Sequence, residues 1–304
     1  NYYKGEPSIK NVVFQIIENA DTAILALQNG EVDAYQMTPQ QVKKLDLDAS
    51  NLSTYSYSEG RVGYLEINCN RVTDEKVRKA LLYAMDRKAM DDAAFESSEY
   101  YSIPYTFLPT NSQFYTEDGV EKYEQDVDKA KSMLEDAGVS GLKLKLGYMS
   151  SDAVQSAQAL LIQEQLKEVG VTVELAGGDG TAIANAMKDP DNEYDMYLGG
   201  YIMGIDPDTF SSLFENDGAY NYMHYSGYDT IDQLFEEGRS ELDESARKET
   251  YAKLQAAVQD TGAFYPIISN NKILVVNNRI QGVEDAGLVP VYTFEDTSSL
   301  KIAE

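Results

Sequence analysis

Tryptophan is absent from this 304-residue chain, and cysteine and histidine occur once each, as Cys69 and His224. One cysteine excludes an intramolecular disulfide and any zinc site built on several thiolates. Cys69 lies in Tyr-Leu-Glu-Ile-Asn-Cys-Asn, a strand-like run, and reads as an inert, half-buried thiol. One imidazole is too few for a nickel or zinc site made of protein groups alone. His224 therefore reads as an exposed or hydrogen-bonded loop residue, with a single contact to a chelated metal as the alternative. No apolar run approaches the ~20 residues that a membrane span needs. Basic residues are also scarce, 25 against 51 acidic ones, for a formal charge of −26. Such a chain repels phosphate backbones and anionic membrane surfaces, so nucleic acid is excluded as a partner, and the acidity suits solubility in a salty exterior. Missing too are a Gly-x-Ser-x-Gly elbow, a Gly-Lys-Ser/Thr phosphate loop and a His-Glu-x-x-His helix. The acidic pairs Asp91-Asp92, Glu117-Asp118 and Glu236-Glu237 read as solvated faces. No catalytic residue, cofactor or metal is assigned. The sequence opens at Asn1 without Met, signal peptide or lipid-attachment cysteine, so the expectation is that targeting and any membrane anchor belong to a missing N-terminus.

What is present is an alternation of strand and helix patterns, which points to α/β layers. Hydrophobic residues make up 43%, enough for a sizeable core in a two-lobed chain. An apolar strand is expected over 12–17, then a short helix capped by Asp21 and closed by Asn29-Gly30. Residues 63–68 alternate as a strand. A helix from Thr73 places Val77, Leu81, Ala84 and Met85 on one face. Residues 91–127 lose periodicity, a stretch that is either packed but irregular or functional. Helical spacing returns at Ala130, Met133, Leu134 and Ala137. A strand over 143–147, a helix holding Ala159, Ile162, Leu166 and Val169, and a strand over 171–175 make a crossover unit with a parallel pair. Gly177-Gly178-Asp179-Gly180 reads as a turn. A strand over 195–199 runs into a glycine-rich loop over 199–208. Helices follow around Ile231, Leu234 and Phe235 and around Tyr251, Leu254 and Val258. Strands over 265–269 and 273–276 end the pattern, and 301–304 is expected to fray.

Several blocks, in order and across nearly the whole chain, resemble the family-5 extracellular solute-binding proteins. They begin with Asn1-Tyr2-Tyr3-Lys4-Gly5-Glu6-Pro7, Val13-Phe14-Gln15-Ile16-Ile17 and Ala26-Leu27-Gln28-Asn29-Gly30-Glu31-Val32-Asp33. Next come Asn68 with Val77-Arg78-Lys79-Ala80-Leu81-Leu82-Tyr83-Ala84-Met85-Asp86-Arg87, then Ala130-Lys131-Ser132-Met133-Leu134 with Ala137-Gly138. The last are Gln165-Leu166, Gly170-Val171, Tyr194-Asp195-Met196, Asp206-Pro207-Asp208-Thr209-Phe210 and Tyr265-Pro266-Ile267-Ile268 before Val275-Val276. The resemblance implies an α/β, periplasmic-binding-protein-like fold of type II (cluster C): lobe 2 with C-terminal remnants of lobe 1. Its expected divisions are a lobe 1 remnant over 1–65, lobe 2 over 66–263 and a return to lobe 1 over 264–304. It also implies a monomeric, non-enzymatic substrate-binding component of an ABC importer, lipid-anchored on the outer face of the cell membrane or periplasmic. That component would capture an oligopeptide or similar small solute by two-lobe closure and deliver it to permease subunits. A ligand-sensing or adhesive surface module on the same scaffold is the alternative.

Tyrosine suits a capture site, because a ring with a polar tip gives area and a hydrogen bond with few rotors. Two clusters stand out among 23 tyrosines: Tyr100, Tyr101 and Tyr105, and Tyr220, Tyr222, Tyr225 and Tyr228 around His224. Packing of loop undersides is the competing reading. The loop over 199–206 lines the cleft in peptide-binding relatives, by the resemblance. There Met203 stands where dipeptide binders carry the aspartate that meets a peptide's α-amino group. Asp206 reads as a turn former before Pro207. The candidate ligand-binding residues are Tyr105, Tyr201, Ile202, Met203, Gly204, Asn221, Tyr222 and His224, expected to face the ligand rather than the interior.

Overall fold

The computed structural model describes residues 6–95, 97–202, 204, 206–225, 227, 229–290 and 292–303. Met203 and Tyr228, named above, lie outside them. In chain order the first elements are helix α1 (Ala20–Gln28), strand β1 (Ala34–Met37), helix α2 (Pro39–Val42) and strands β2 (Leu52–Ser58) and β3 (Arg61–Ile67). Helices α3 (Glu75–Tyr83) and α4 (Arg87–Phe95), short strand β4 (Tyr101–Ser102) and helix α5 (Val127–Asp136) follow. Then come β5 (Lys143–Met149), α6 (Ala153–Glu168), β6 (Thr172–Gly178), α7 (Gly180–Ala186) and β7 (Met196–Ile202). Helices α8 (Ser211–Phe214), α9 (Asp229–Ser240) and α10 (Glu244–Asp260) lead to the long strand β8 (Phe264–Asn277). The chain divides into two compact units, one made of 1–59 and 270–304, the other of 60–269.

In the smaller unit β1 and β2 both pair antiparallel with the second half of β8, as in Tyr35↔Val275 and Thr54↔Val275. Tyr57, Leu274, Val276, Val283, Ala286 and Leu300 form its core. The strand expected over 12–17 does not form: the backbone belongs to no ladder, and Val13, Phe14 and Ile16 are 86%, 92% and 91% exposed. The pattern is that of a strand, but a strand needs a neighbour for its N–H and C=O groups. The cap of α1 is Asn19, whose side chain accepts from the Thr22 N–H, rather than Asp21. The C-terminal tail is held by a ladder, Lys301–Ile302 against Ile280–Gln281, where fraying was expected.

The larger unit is layered as the pattern requires. β5 and β6 run parallel and are joined by α6, which Asp152 caps and Gly170, at φ +81°, stops. β7 pairs antiparallel with β3, and β3 with the first half of β8. The two strands expected at 265–269 and 273–276 are therefore one strand. Alternation along β3 sends Leu65 and Ile67 to one face and Val62 and Tyr64 to the other. The first face packs on α3–α6 with Leu144, Leu146, Ile162 and Leu166; the second meets Phe107, Phe210, Phe214, Phe235 and Tyr251. The strand expected over 63–68 is thus buried on both sides. Within 91–127, α4 is regular to Phe95, and Phe107, Leu108 and Phe114 are core residues. Gly177 and Gly178 end β6, and Asp179 caps α7, so the glycine run is a strand-to-helix junction.

Two arginines of the Val77–Arg87 block are structural. The Arg78 guanidinium donates to the carbonyls of Val72, Thr73 and Thr261 at 2.9–3.2 Å. Arg87 Nε donates to the Pro266 carbonyl at 2.7 Å, and its guanidinium lies 3.9 Å from the Tyr265 ring centroid. Both tie helices to positions far along the chain.

Candidate ligand-binding edge

The larger unit contains one half-open strand. β7 pairs with β3 along its whole length, from Ile67↔Met196 to Arg61↔Ile202. On its other side it pairs with β5 only at Leu146↔Met196 and Gly147↔Tyr197. From there β5 continues with β6 to Met149↔Gly178. Among the described residues, no strand covers that side of β7 beyond Tyr197. Gly200 is exposed, Ile202 is 44% exposed, and Tyr201 is half-buried against Phe210 and Tyr220, at 5.5 and 6.1 Å between ring centroids. An uncovered strand edge offers main-chain donors and acceptors to any extended chain laid beside it.

Side chains lie close over both glycines of β7, a buried ring at Gly199 and the flexible Arg61 at Gly200. A Cβ at Gly199 would fall 2.6 Å from the Tyr64 ring, and one at Gly200 would fall 2.0 Å from Nη2 of Arg61. Tyr64 on one face and Arg61 on the other thus lie directly on the β7 backbone. Gly204, at φ +90°, then turns the chain out of the strand.

The candidates from the sequence fall in three places. Tyr201, Ile202 and Gly204 sit at the open end of β7, and Met203 lies outside the described residues. Asn221 and His224 border a 420 Å³ polar depression with Lys188, Asn216, Asp217, Gly218 and Tyr225. Asn221 is nonetheless buried, its side-chain amide donating to the Glu215 carbonyl at 2.9 Å. His224, at φ +48°, sets Nε2 2.9 Å from the Met187 carbonyl. Tyr222 is 5% exposed: it packs on Ile183 and Met187 and meets Tyr197 edge-on at 5.7 Å. Tyr105 borders a separate 370 Å³ cavity with Asp86, Arg87, Lys88 and Glu124. Burial, first, and Glu124 push its hydroxyl up to about 12. Its neighbour Tyr101 is buried, donating to Asp92 Oδ1 at 2.6 Å.

Sequence reasoning missed Glu66. It is fully buried on β3, opposite Tyr197 on β7 and Phe264 on β8, and neither carboxyl oxygen has a hydrogen-bond partner among the described residues. Desolvation by burial holds it well above the usual carboxylate range. Burial, then the Glu66 charge, push the Tyr222 hydroxyl up to about 12. The glutamate in an alternating strand reads as solvated; only the second buried face reveals it. Cys69 is buried, its thiol pushed up to about 11 by burial, with Sγ 3.7 Å from the Ile67 carbonyl. Among the described residues no three His, Cys, Asp or Glu side chains gather as metal ligands, and no helix is long and apolar enough to cross a membrane.

A sequence model of the bacterial extracellular solute-binding proteins, family 5, matches residues 1–222, and the chain belongs to that family. Its fold is shared with the ABC transporter substrate-binding protein CtaP of Listeria monocytogenes, 37% identical with a TM-score of 0.92, over 100% of this chain and 62% of that one. It is shared too with AppA, a putative peptide-binding protein of Clostridium difficile, 33% identical with a TM-score of 0.90, over 99% of this chain and 63% of that one. The oligopeptide-binding protein AppA of Bacillus subtilis is 25% identical over 305 residues, covering 91% of this chain. The chain spans 54% of that relative's length.

Proposed function

We propose that this chain is part of the substrate-binding component of an ABC importer, one that captures a peptide-like solute outside the membrane and hands it to the permease. Family membership supports capture and delivery, as the relatives are binding proteins rather than enzymes. The observation that carries the peptide-like reading is the uncovered edge of β7 at Gly200–Ile202. An extended peptide adds there as a strand through its main chain, which recognises backbone and tolerates varied side chains. Tyr201 and the turn at Gly204 border that position. In this reading 60–269 is the second lobe of the family fold and supplies one wall of the site, while 1–59 and 270–304 belong to the first. The protein acts as a monomer at the outer face of the cell membrane or in the periplasm, without a catalytic step.

A thermal-shift screen tests the reading. Pools of unblocked tri- to hexapeptides should raise Tm, since a ligand at about 100 times its Kd adds about 2.7 kcal/mol. A shift with sugars or metal chelates and none with any peptide pool would overturn it.

A further inference from the structure

One cation lies beside the open edge. Arg61 is the first residue of β3 and stands opposite Ile202 in the ladder. Its guanidinium lies against two glycines. A Cβ on Gly63 would meet Nη1 at 3.3 Å; one on Gly200 would meet Nη2, Cζ and Nε at 2.0, 2.3 and 2.6 Å. The plane of the side chain is thus bedded on β7 at the residue where that strand becomes exposed.

Arg61 is half-buried, yet among the described residues its side chain donates no hydrogen bond and meets no carboxylate within ion-pair distance. The other arginines are all engaged. Arg78 and Arg87 hold backbone carbonyls. Arg71 pairs with Asp195, Arg239 with Asp208 and Glu215, Arg247 with Asp206, and Arg279 with Asp33. In a chain with 51 acidic residues, an arginine left without one at a strand end is a conspicuous exception. Its five donors form a planar fork that matches a carboxylate through two parallel hydrogen bonds. Because the glycine bed limits where the fork can lie, little rotamer freedom is lost when a ligand arrives.

We propose that Arg61 is the anion anchor of the solute site: it takes a carboxylate carried by the solute lying along β7. This deepens the function proposed above and rests on it. The net charge of −26 repels anions at long range, so anion binding here needs a local, fixed cation, and Arg61 is that cation. The carboxylate is either the C-terminus of a peptide or an acidic side chain.

Calorimetry with three peptide pools on the wild-type protein and on Arg61→Gln and Arg61→Lys separates these sources. One pool has free C-termini, one has C-terminal amides, and one is amidated but carries a central Glu. Wild type should bind one carboxylate-bearing pool about 10- to 100-fold more tightly than the plain amides, the size of a charge-assisted pair. Preference for the free acids assigns the C-terminus; preference for the Glu pool assigns the side chain. Arg61→Gln should abolish the preference, while Arg61→Lys should keep only part of it. Equal binding of all three pools by wild type would overturn the anchor but leave the edge as a peptide site. So would a preference that survives in Arg61→Gln. Absence of binding by any pool would overturn both.

Discussion

The two faces of the central sheet in 60–269 are packed by different means. One face is mainly aliphatic and is covered by α3–α6, with Leu65, Ile67, Leu144, Leu146 and Ile162 at its centre. The other is crowded with rings: Phe107 lies 4.9 Å from Phe214 and 5.5 Å from Phe210, and Phe214 lies 5.0 Å from Phe264. The aliphatic side is built largely from neighbouring strand–helix–strand segments. The aromatic side combines the irregular segment around Phe107 and Phe114 with α9 and α10. Large rings span the gaps that irregular segments leave, so few residues carry much of that layer. Each face also buries a carboxyl, Glu66 among the rings and Asp91 on α4.

That contrast can be broken most sharply at Phe107. Replacement by Ala should cost about 3–5 kcal/mol, as for other fully buried rings, seen as a lower urea midpoint at unchanged m. A loss below about 1.5 kcal/mol would mean that the aromatic layer does not hinge on a few rings. A smaller, pH-dependent effect is expected at Asp91. Burial, foremost, pushes this carboxyl up to about 8, despite Gln158 Nε2 3.4 Å from Oδ1 and the nearby Arg87 charge. The folded state therefore holds a proton that the unfolded chain gives up near pH 4. The stabilisation is full below that pH and is lost as pH rises towards 8. Asp91→Asn should remove that slope, so its Tm relative to wild type should climb between pH 5 and pH 8. A constant difference would place the ionised carboxylate in the fold. The smallest effect belongs to the aliphatic face, where Ile162→Val should cost about 0.5–1.5 kcal/mol. A cost equal to that of Phe107→Ala would erase the distinction between the faces.

The same contrast marks what was legible in the sequence. α3, α5, α6 and the parallel pair β5–β6 carry their apolar residues at helix or strand period, and local caps such as Asp152 and Gly170 bound them. β1 and β2 were missed because Ala-Tyr-Gln-Met and Leu-Ser-Thr-Tyr-Ser-Tyr-Ser are weakly apolar and gain their partner only from β8, over 200 residues on. The break expected between 265–269 and 273–276 does not occur, because 270–272 stay extended within β8. Of the candidate site, the end of β7 was legible from its glycines. The open edge itself was not, since it depends on where β5 leaves β7, a tertiary fact without a residue signature. The burial of Tyr222 was not legible, because a loop tyrosine and a buried one look alike in sequence.

Cys69 has a practical side. Its thiol is buried and poorly ionised near neutrality, so the native protein gives alkylating reagents little to attack. With no tryptophan anywhere in the chain, the protein is also dark to selective indole excitation. A single cysteine or tryptophan introduced beside Ile202 would therefore report on that strand end alone, without removal of any native residue.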